Sequence, residues 1–129
     1  MKKAILINSE NQTLSYIQLS DDYREIPKAI GNGCELFCCP ITFDNMDGMY
    51  ADDESLLRPD DIKGGFIMDD WYYPLVGNAI ILGTDDEGES VDVKTTIEEI
   101  QSQIKFIDSD ECKKHSEVAR NTPPQIFTW

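Results

Sequence analysis

Gly77-Asn78-Ala79-Ile80-Ile81-Leu82-Gly83 is the stretch that decides the fold. It is a short apolar run bracketed by glycines, too brief for a helix, and it reads as a buried strand. On its C-terminal side, Thr84 to Ser90 is an acidic turn around Gly88. A helix is expected after Val93. Thr95-Thr96-Ile97-Glu98 fits a capping box, with a hydroxyl at the cap and a carboxylate three residues on. Ile97, Ile100, Ile104 and Ile107 follow at spacings of three, four and three, which lays one apolar stripe along about three turns.

On the N-terminal side, Ala4-Ile5-Leu6-Ile7 and Thr13 to Leu19 read as the two strands of a β-hairpin. Ser20-Asp21-Asp22 offers capping oxygens to a short helix near Ile26 to Ile30, and Gly31-Asn32-Gly33 ends it. Glu35 to Cys39 is the next strand, with Pro40 as its limit. Asp47-Gly48 signals a hairpin turn into the short strand Met49-Tyr50-Ala51. Arg58 to Gly65 is a polar loop, and Phe66-Ile67-Met68 is a short edge strand. The expected architecture is therefore α+β: a mostly antiparallel sheet with one short and one longer helix. Residues 1–107 form a single domain. Residues 108–129 are a charged tail or an extra polar helix, which Pro123-Pro124 would stop.

The chain has 129 residues, suited to one domain, and its 40% apolar content is too high for a disordered chain. The charge is the unusual quantity, with 25 Asp and Glu against 11 Lys and Arg, a net −14. Residues 1–33 are net neutral, whereas residues 34–95 carry −12 of the excess. Such a surface repels phosphate backbones and anionic membranes and attracts basic partners, so direct binding of nucleic acid or membrane is not expected. The same acids also serve solubility. Met1-Lys2-Lys3 is followed by only four apolar residues, short of a signal peptide or a membrane span. A cytoplasmic location is expected, with the four cysteines as thiols.

Chemical motifs are sparse. Cys112-Lys113-Lys114-His115 has a C-x-x-H spacing that a zinc half-site uses, and Cys34, Cys38 and Cys39 are the other candidate ligands. Cys38 and Cys39 would point to opposite faces of a strand, and a second half-site is missing, so no metal is expected. His115 is the only histidine, and it sits in the least patterned part of the chain. The acidic run around Gly88 fails the calcium-loop pattern, because the twelfth position falls on Lys94. No phosphate-cradling glycine motif is present. The chain reads as a non-enzyme without cofactor. Trp71-Tyr72-Tyr73-Pro74, flanked by Asp69 and Asp70, is a candidate contact segment.

The block Gly77 to Glu89, together with Met49-Tyr50-Ala51-Asp52-Asp53-Glu54, resembles a family of small phage and mobile-element proteins known only as a domain of unknown function. The resemblance covers roughly Ala4 to Ile107 and rests on structural turns. It implies no catalytic residues. It does imply a setting in which small accessory proteins often antagonise host defences, and hence a host-cell cytosol.

The function expected from the sequence is occupation of a basic, nucleic-acid-binding surface on a host protein. Asp52, Asp53, Glu54, Asp60, Asp61, Asp85, Asp86, Glu87, Glu89 and Asp92 are the carboxylates that would carry it, with Trp71 and Tyr72 as aromatic contacts. The alternative is a small-ligand binder that sequesters a signalling nucleotide, using Arg24 or Arg58 with Tyr50 or Trp71. A homo-oligomer is compatible with either.

Overall fold

The computed structural model of the chain describes residues 2–20, 22, 24–31, 34, 37–52, 64–69, 75–112 and 114, and only the backbone of Pro40. The N-terminal hairpin forms as expected. β1 (Lys2–Asn8) and β2 (Thr13–Leu19) pair antiparallel through seven unbroken pairs, from Lys2↔Leu19 to Asn8↔Thr13. α1 (Glu25–Ile30) follows. Its cap position is Arg24 and makes no side-chain capping bond. The polar residues ahead of it fold their own turn instead: Ser20 Oγ accepts from the Asp22 N–H, and the Asp22 carboxylate accepts from the Arg24 N–H.

β3 (Phe37–Thr42) does not stop at Pro40. It lies at an outer edge of the sheet and carries a register shift between Cys38 and Ile41, and an edge bulge is where a strand tolerates a missing N–H. β4 (Gly48–Asp52), β5 (Gly65–Met68), β6 (Leu75–Val76), β7 (Ala79–Thr84) and β8 (Ser90–Val91) come next. The expected longer helix is replaced by two elements. α2 (Ile97–Gln101) is a single short helix, and Ile104 to Ile107 is a strand, β9. Thr96, not Thr95, is the cap, and its hydroxyl accepts the Glu99 N–H at 3.2 Å. The isoleucine spacing matched a helix, but Ile104-Lys105-Phe106 also alternates, and its β-branched and aromatic residues fit a pleated surface. Pairing along β5, from Gly65↔Ile107 to Met68↔Ile104, decided the outcome. Residues 109–112 are helical, in the segment where an extra helix was expected.

The strands form two antiparallel sheets. The larger has the order β2-β1-β7-β4-β3, with β8 paired to the end of β7, and the smaller has the order β6-β5-β9. β5 is thus a central strand of the second sheet, not the edge strand its short sequence suggested. The period-2 alternation of side chains assigns the two faces of the large sheet. Ile5, Ile7, Met49, Ala51, Ala79 and Ile81 face the small sheet and α2, meeting Phe66, Met68, Leu75 and Ile100. Ala4, Leu19, Ile80 and Leu82 face the other way, against Ile26 and Ile30 of α1. β7 lies in the middle of this three-layer arrangement, which is why Ala79-Ile80-Ile81-Leu82 is apolar at every position. Among the described residues no helix is long and apolar enough to cross a membrane.

Candidate functional site

The acidic turn is built from the top of β7. β4 runs antiparallel to β7 with Gly48 opposite Leu82, so Thr84 projects towards the turn that joins β3 to β4. Residues 85–89 reverse the chain into β8. Asp85 organises that reversal: its N–H donates to the Glu89 carbonyl at 2.9 Å, and its Oδ1 accepts the N–H groups of Glu87 and Glu89, each at 2.9 Å. Gly88 sits at φ 83°, a left-handed conformation that a side chain resists, and its N–H donates to the Asp85 carbonyl. Asp85 is half-buried by this use, while Asp86, Glu87 and Glu89 stand in solvent. Among the described residues no basic side chain pairs with those three. Lys94, the nearest cation in sequence, extends its ammonium to the Thr84 carbonyl at 3.4 Å.

Asp92 is exposed but also engaged, with its Oδ1 accepting the Lys3 N–H at 2.8 Å, next to a Val93 N–H to Lys3 carbonyl bond. The start of β1, the end of β7 and the β3–β4 turn therefore share one end of the sheet. That turn adds exposed Asp44 and Met46 to the rim. A shallow cavity of 280 Å³ lies beside it, lined by Cys39, Thr42, Met46, Gly48, Tyr50 and Thr84. Asp44 was not among the sequence candidates. Only the pairing of β4 with β7, a long-range fact, places its turn at the same end of the sheet as Asp85.

Behind the rim lies a buried carboxylate that the sequence marked only as a turn residue. Asp47 is fully buried. Its oxygens accept the Lys94 N–H at 3.0 Å, the Thr95 N–H at 2.7 Å and the Thr95 hydroxyl at 2.7 Å. Asn45 donates to the Thr95 Oγ1 at 3.0 Å and accepts the Asp47 N–H. The charge of Asp47 is thus spent on joining the β3–β4 turn to the entry of α2, satisfying groups that burial would otherwise leave unpaired.

The other candidates fall elsewhere. Asp52 is buried at the far end of β4, opposite Phe37, about 13 Å along the strand from Gly48. It does not join the rim around Asp85. Asp53, Glu54, Arg58, Asp60, Asp61, Trp71 and Tyr72 lie outside the described residues, as does His115. Of the alternative ligand set, Arg24 is exposed and clamped to Asp22 through its Nε and Nη2, the latter at 2.9 Å. Those hydrogen bonds hold the Asp22 pKa below the usual carboxylate value and raise that of Arg24. Tyr50 packs edge-on against Phe37 with ring centroids 5.8 Å apart, and Arg24 does not line its cavity.

The cysteines are dispersed. Cys34 packs with the α1 layer, Cys38 lies on β3, Cys39 is exposed at the small cavity, and Cys112 is buried against Val76 and Ile107. Burial, followed by the nearby carboxylates of Glu111 and Asp108, pushes the Cys112 thiol up to about 11. Among the described residues no three His, Cys, Asp or Glu side chains gather as metal donors.

No protein-family model, no curated protein and no solved structure matches this chain.

Proposed function

We propose that the chain is a non-enzymatic binding protein whose acidic rim occupies a basic surface on a partner, of the kind that otherwise grips nucleic acid. The observation that carries this reading is the trio Asp86, Glu87 and Glu89. They are exposed, no basic side chain among the described residues pairs with them, and they stand on a turn whose shape is set by Asp85 and Gly88. A pre-shaped turn presents such charges without first ordering a flexible segment, which lowers the entropic cost of binding. The resemblance of the Gly77 to Glu89 block to phage and mobile-element proteins makes a host-defence protein in the cytosol the partner of this reading.

The nucleotide-sequestering alternative draws less support. Arg24 is already neutralised by Asp22, and an anionic ligand would approach a chain of net −14.

The test is affinity for a basic nucleic-acid-binding protein at two salt concentrations, comparing the wild type with Asp86→Lys/Glu87→Lys/Glu89→Lys. Exposed ion pairs contribute about 0.2–1 kcal/mol each, and the reversal replaces three attractions by three repulsions, so affinity should fall about tenfold or more. Wild-type binding should weaken as salt rises, since exposed charges are screened over about 8 Å at physiological ionic strength. Binding insensitive to both salt and charge reversal would reject the reading.

A further inference from the structure

The large sheet has two outer strands, and they are treated differently. β3 carries Pro40 and a register shift, features that spoil a strand edge for pairing. β2 has neither. Thr13-Leu14-Ser15-Tyr16-Ile17-Gln18-Leu19 contains no charge and no proline, and its seven pairs with β1 run without a bulge. Among the described residues no strand pairs with its other side. An uncharged, regular edge of this length is a template for another strand.

A groove of 420 Å³ runs beside that edge. Gln12, Thr13 and Leu14 line one wall. Ile97 and Gln101 of α2 and Ile104 and Phe106 of β9 line the other. Leu14, Ile97, Ile104 and Phe106 are only partly buried. β9 is itself an outer strand of the small sheet, so the groove opens where both sheets end. Tyr16 lies on the same face as Leu14 and is 44% exposed. Its hydroxyl accepts the Ile97 N–H, and the Lys3 ammonium sits 4.8 Å from its ring centre.

We propose that β2 is a self-association edge: two copies of the chain pair β2 to β2, antiparallel about a twofold axis, to form one sheet through both. Charge selects this occupant. Two chains of net −14 repel through most of their surfaces, but residues 1–33 are net neutral and β2 is uncharged. A basic peptide would be recognised by carboxylates, and none of the described residues lining the groove is charged. A neutral strand with apolar side chains on its groove-facing side fits instead, and β2 is such a strand. In the paired state Leu14 and Tyr16 of each copy would help to cover the exposed apolar wall of the other. This surface is separate from the acidic rim and stands or falls independently of it.

The experiment is sedimentation of the full chain from micromolar to near-millimolar concentration. The mass should rise from 14.7 kDa towards twice that value. Raising salt should favour the dimer, because it screens the repulsion between two acidic bodies and removes no attraction. Ser15→Lys, at an exposed edge position, should move the midpoint at least tenfold to higher concentration, with the thermal transition kept as a check on folding. Mixing Ser15→Lys with Ser15→Glu should restore a mixed dimer, since opposite charges across a strand pair attract where like charges repel. A single-chain mass throughout the range would overturn the proposal. So would a dimer indifferent to Ser15→Lys, or one that forms only after residues 115–129 are removed.

Discussion

Replacing Asp47 with alanine should be among the most destabilising changes at a polar position of this chain. The carboxylate takes three donors, of which two belong to Thr95, a residue only 4% exposed. Hydrogen bonds to a charged acceptor contribute about 1.5–3 kcal/mol each, and a buried donor left unpaired keeps its full desolvation penalty. The Lys94 N–H belongs to an exposed residue and can recover water. Counting only the Thr95 N–H and hydroxyl gives a loss of about 3–6 kcal/mol. That is a large part of the roughly 5–15 kcal/mol that holds a domain together, but not all of it. Asp47→Asn keeps an oxygen in place and loses the charge, so about 1–2 kcal/mol is expected. Urea unfolding followed by far-ultraviolet circular dichroism measures both values. A double-mutant cycle with Thr95→Val should give a coupling of at least about 1 kcal/mol, because the two residues share the bond being removed. An Asp47→Ala variant within about 1 kcal/mol of wild type, or strict additivity with Thr95→Val, would refute the reasoning.

Two further outcomes follow from close packing and from burial. Gly83→Ala should cost about 1–3 kcal/mol or more, since its Cβ would collide with the backbone carbonyl of Asp92, which has no flexible end to move aside; a thermal midpoint unchanged from wild type would contradict this. Cys112 should resist alkylation at pH 8 in the native state while exposed Cys39 reacts. Its thiol is raised from 9.0 to about 11 in the fold, so the native state keeps a proton that the unfolded chain releases. The associated stability is complete below pH 9 and is lost between pH 9 and 11, and Cys112→Ser should flatten that part of the stability–pH curve.

Local chemistry made part of this fold legible. The apolar run of β7, the first hairpin and the glycine after α1 are each specified by adjacent residues, and each forms where expected. The failures come from long-range pairing. The isoleucines at 97, 100, 104 and 107 satisfy a helical period, yet α2 ends at Gln101 because β5 offers Ile104 to Ile107 a ladder of hydrogen bonds. Phe66-Ile67-Met68 looked like an edge strand because its flanks are polar, and it is central because β6 and β9 close on both sides. The site shows the same division. The turn around Gly88 could be read from its residues, whereas the separation of Asp52 from Asp85 required knowing that they stand at opposite ends of the β4–β7 pair.

Charge alone overstates what the acidic rim can offer, because much of it is already in use. On the rim, Asp85 accepts N–H groups of its own turn, the local bonding that a short carboxylate favours, and Asp92 accepts the N–H of distant Lys3. Behind the rim Asp47 holds the Thr95 N–H from across the chain, and away from it Asp22 and Asp108 bond the backbone of their own turns. The longer Glu87, Glu89, Glu98, Glu99 and Glu111 are exposed. This division fixes how the binding proposal must be tested. Asp85→Ala removes the acceptor of two N–H groups and should loosen the turn, costing about 1 kcal/mol of stability. Among the described residues the side chains of Asp86, Glu87 and Glu89 make no hydrogen bond to the frame, so reversing them should leave the thermal midpoint in place. If the exposed charges make the contact, the triple reversal weakens partner binding at unchanged stability, while Asp85→Ala weakens it only as far as the turn loses its shape. If Asp85→Ala abolishes binding and the triple reversal leaves it intact, the partner reads the backbone of the turn, and the acids around Gly88 serve solubility instead.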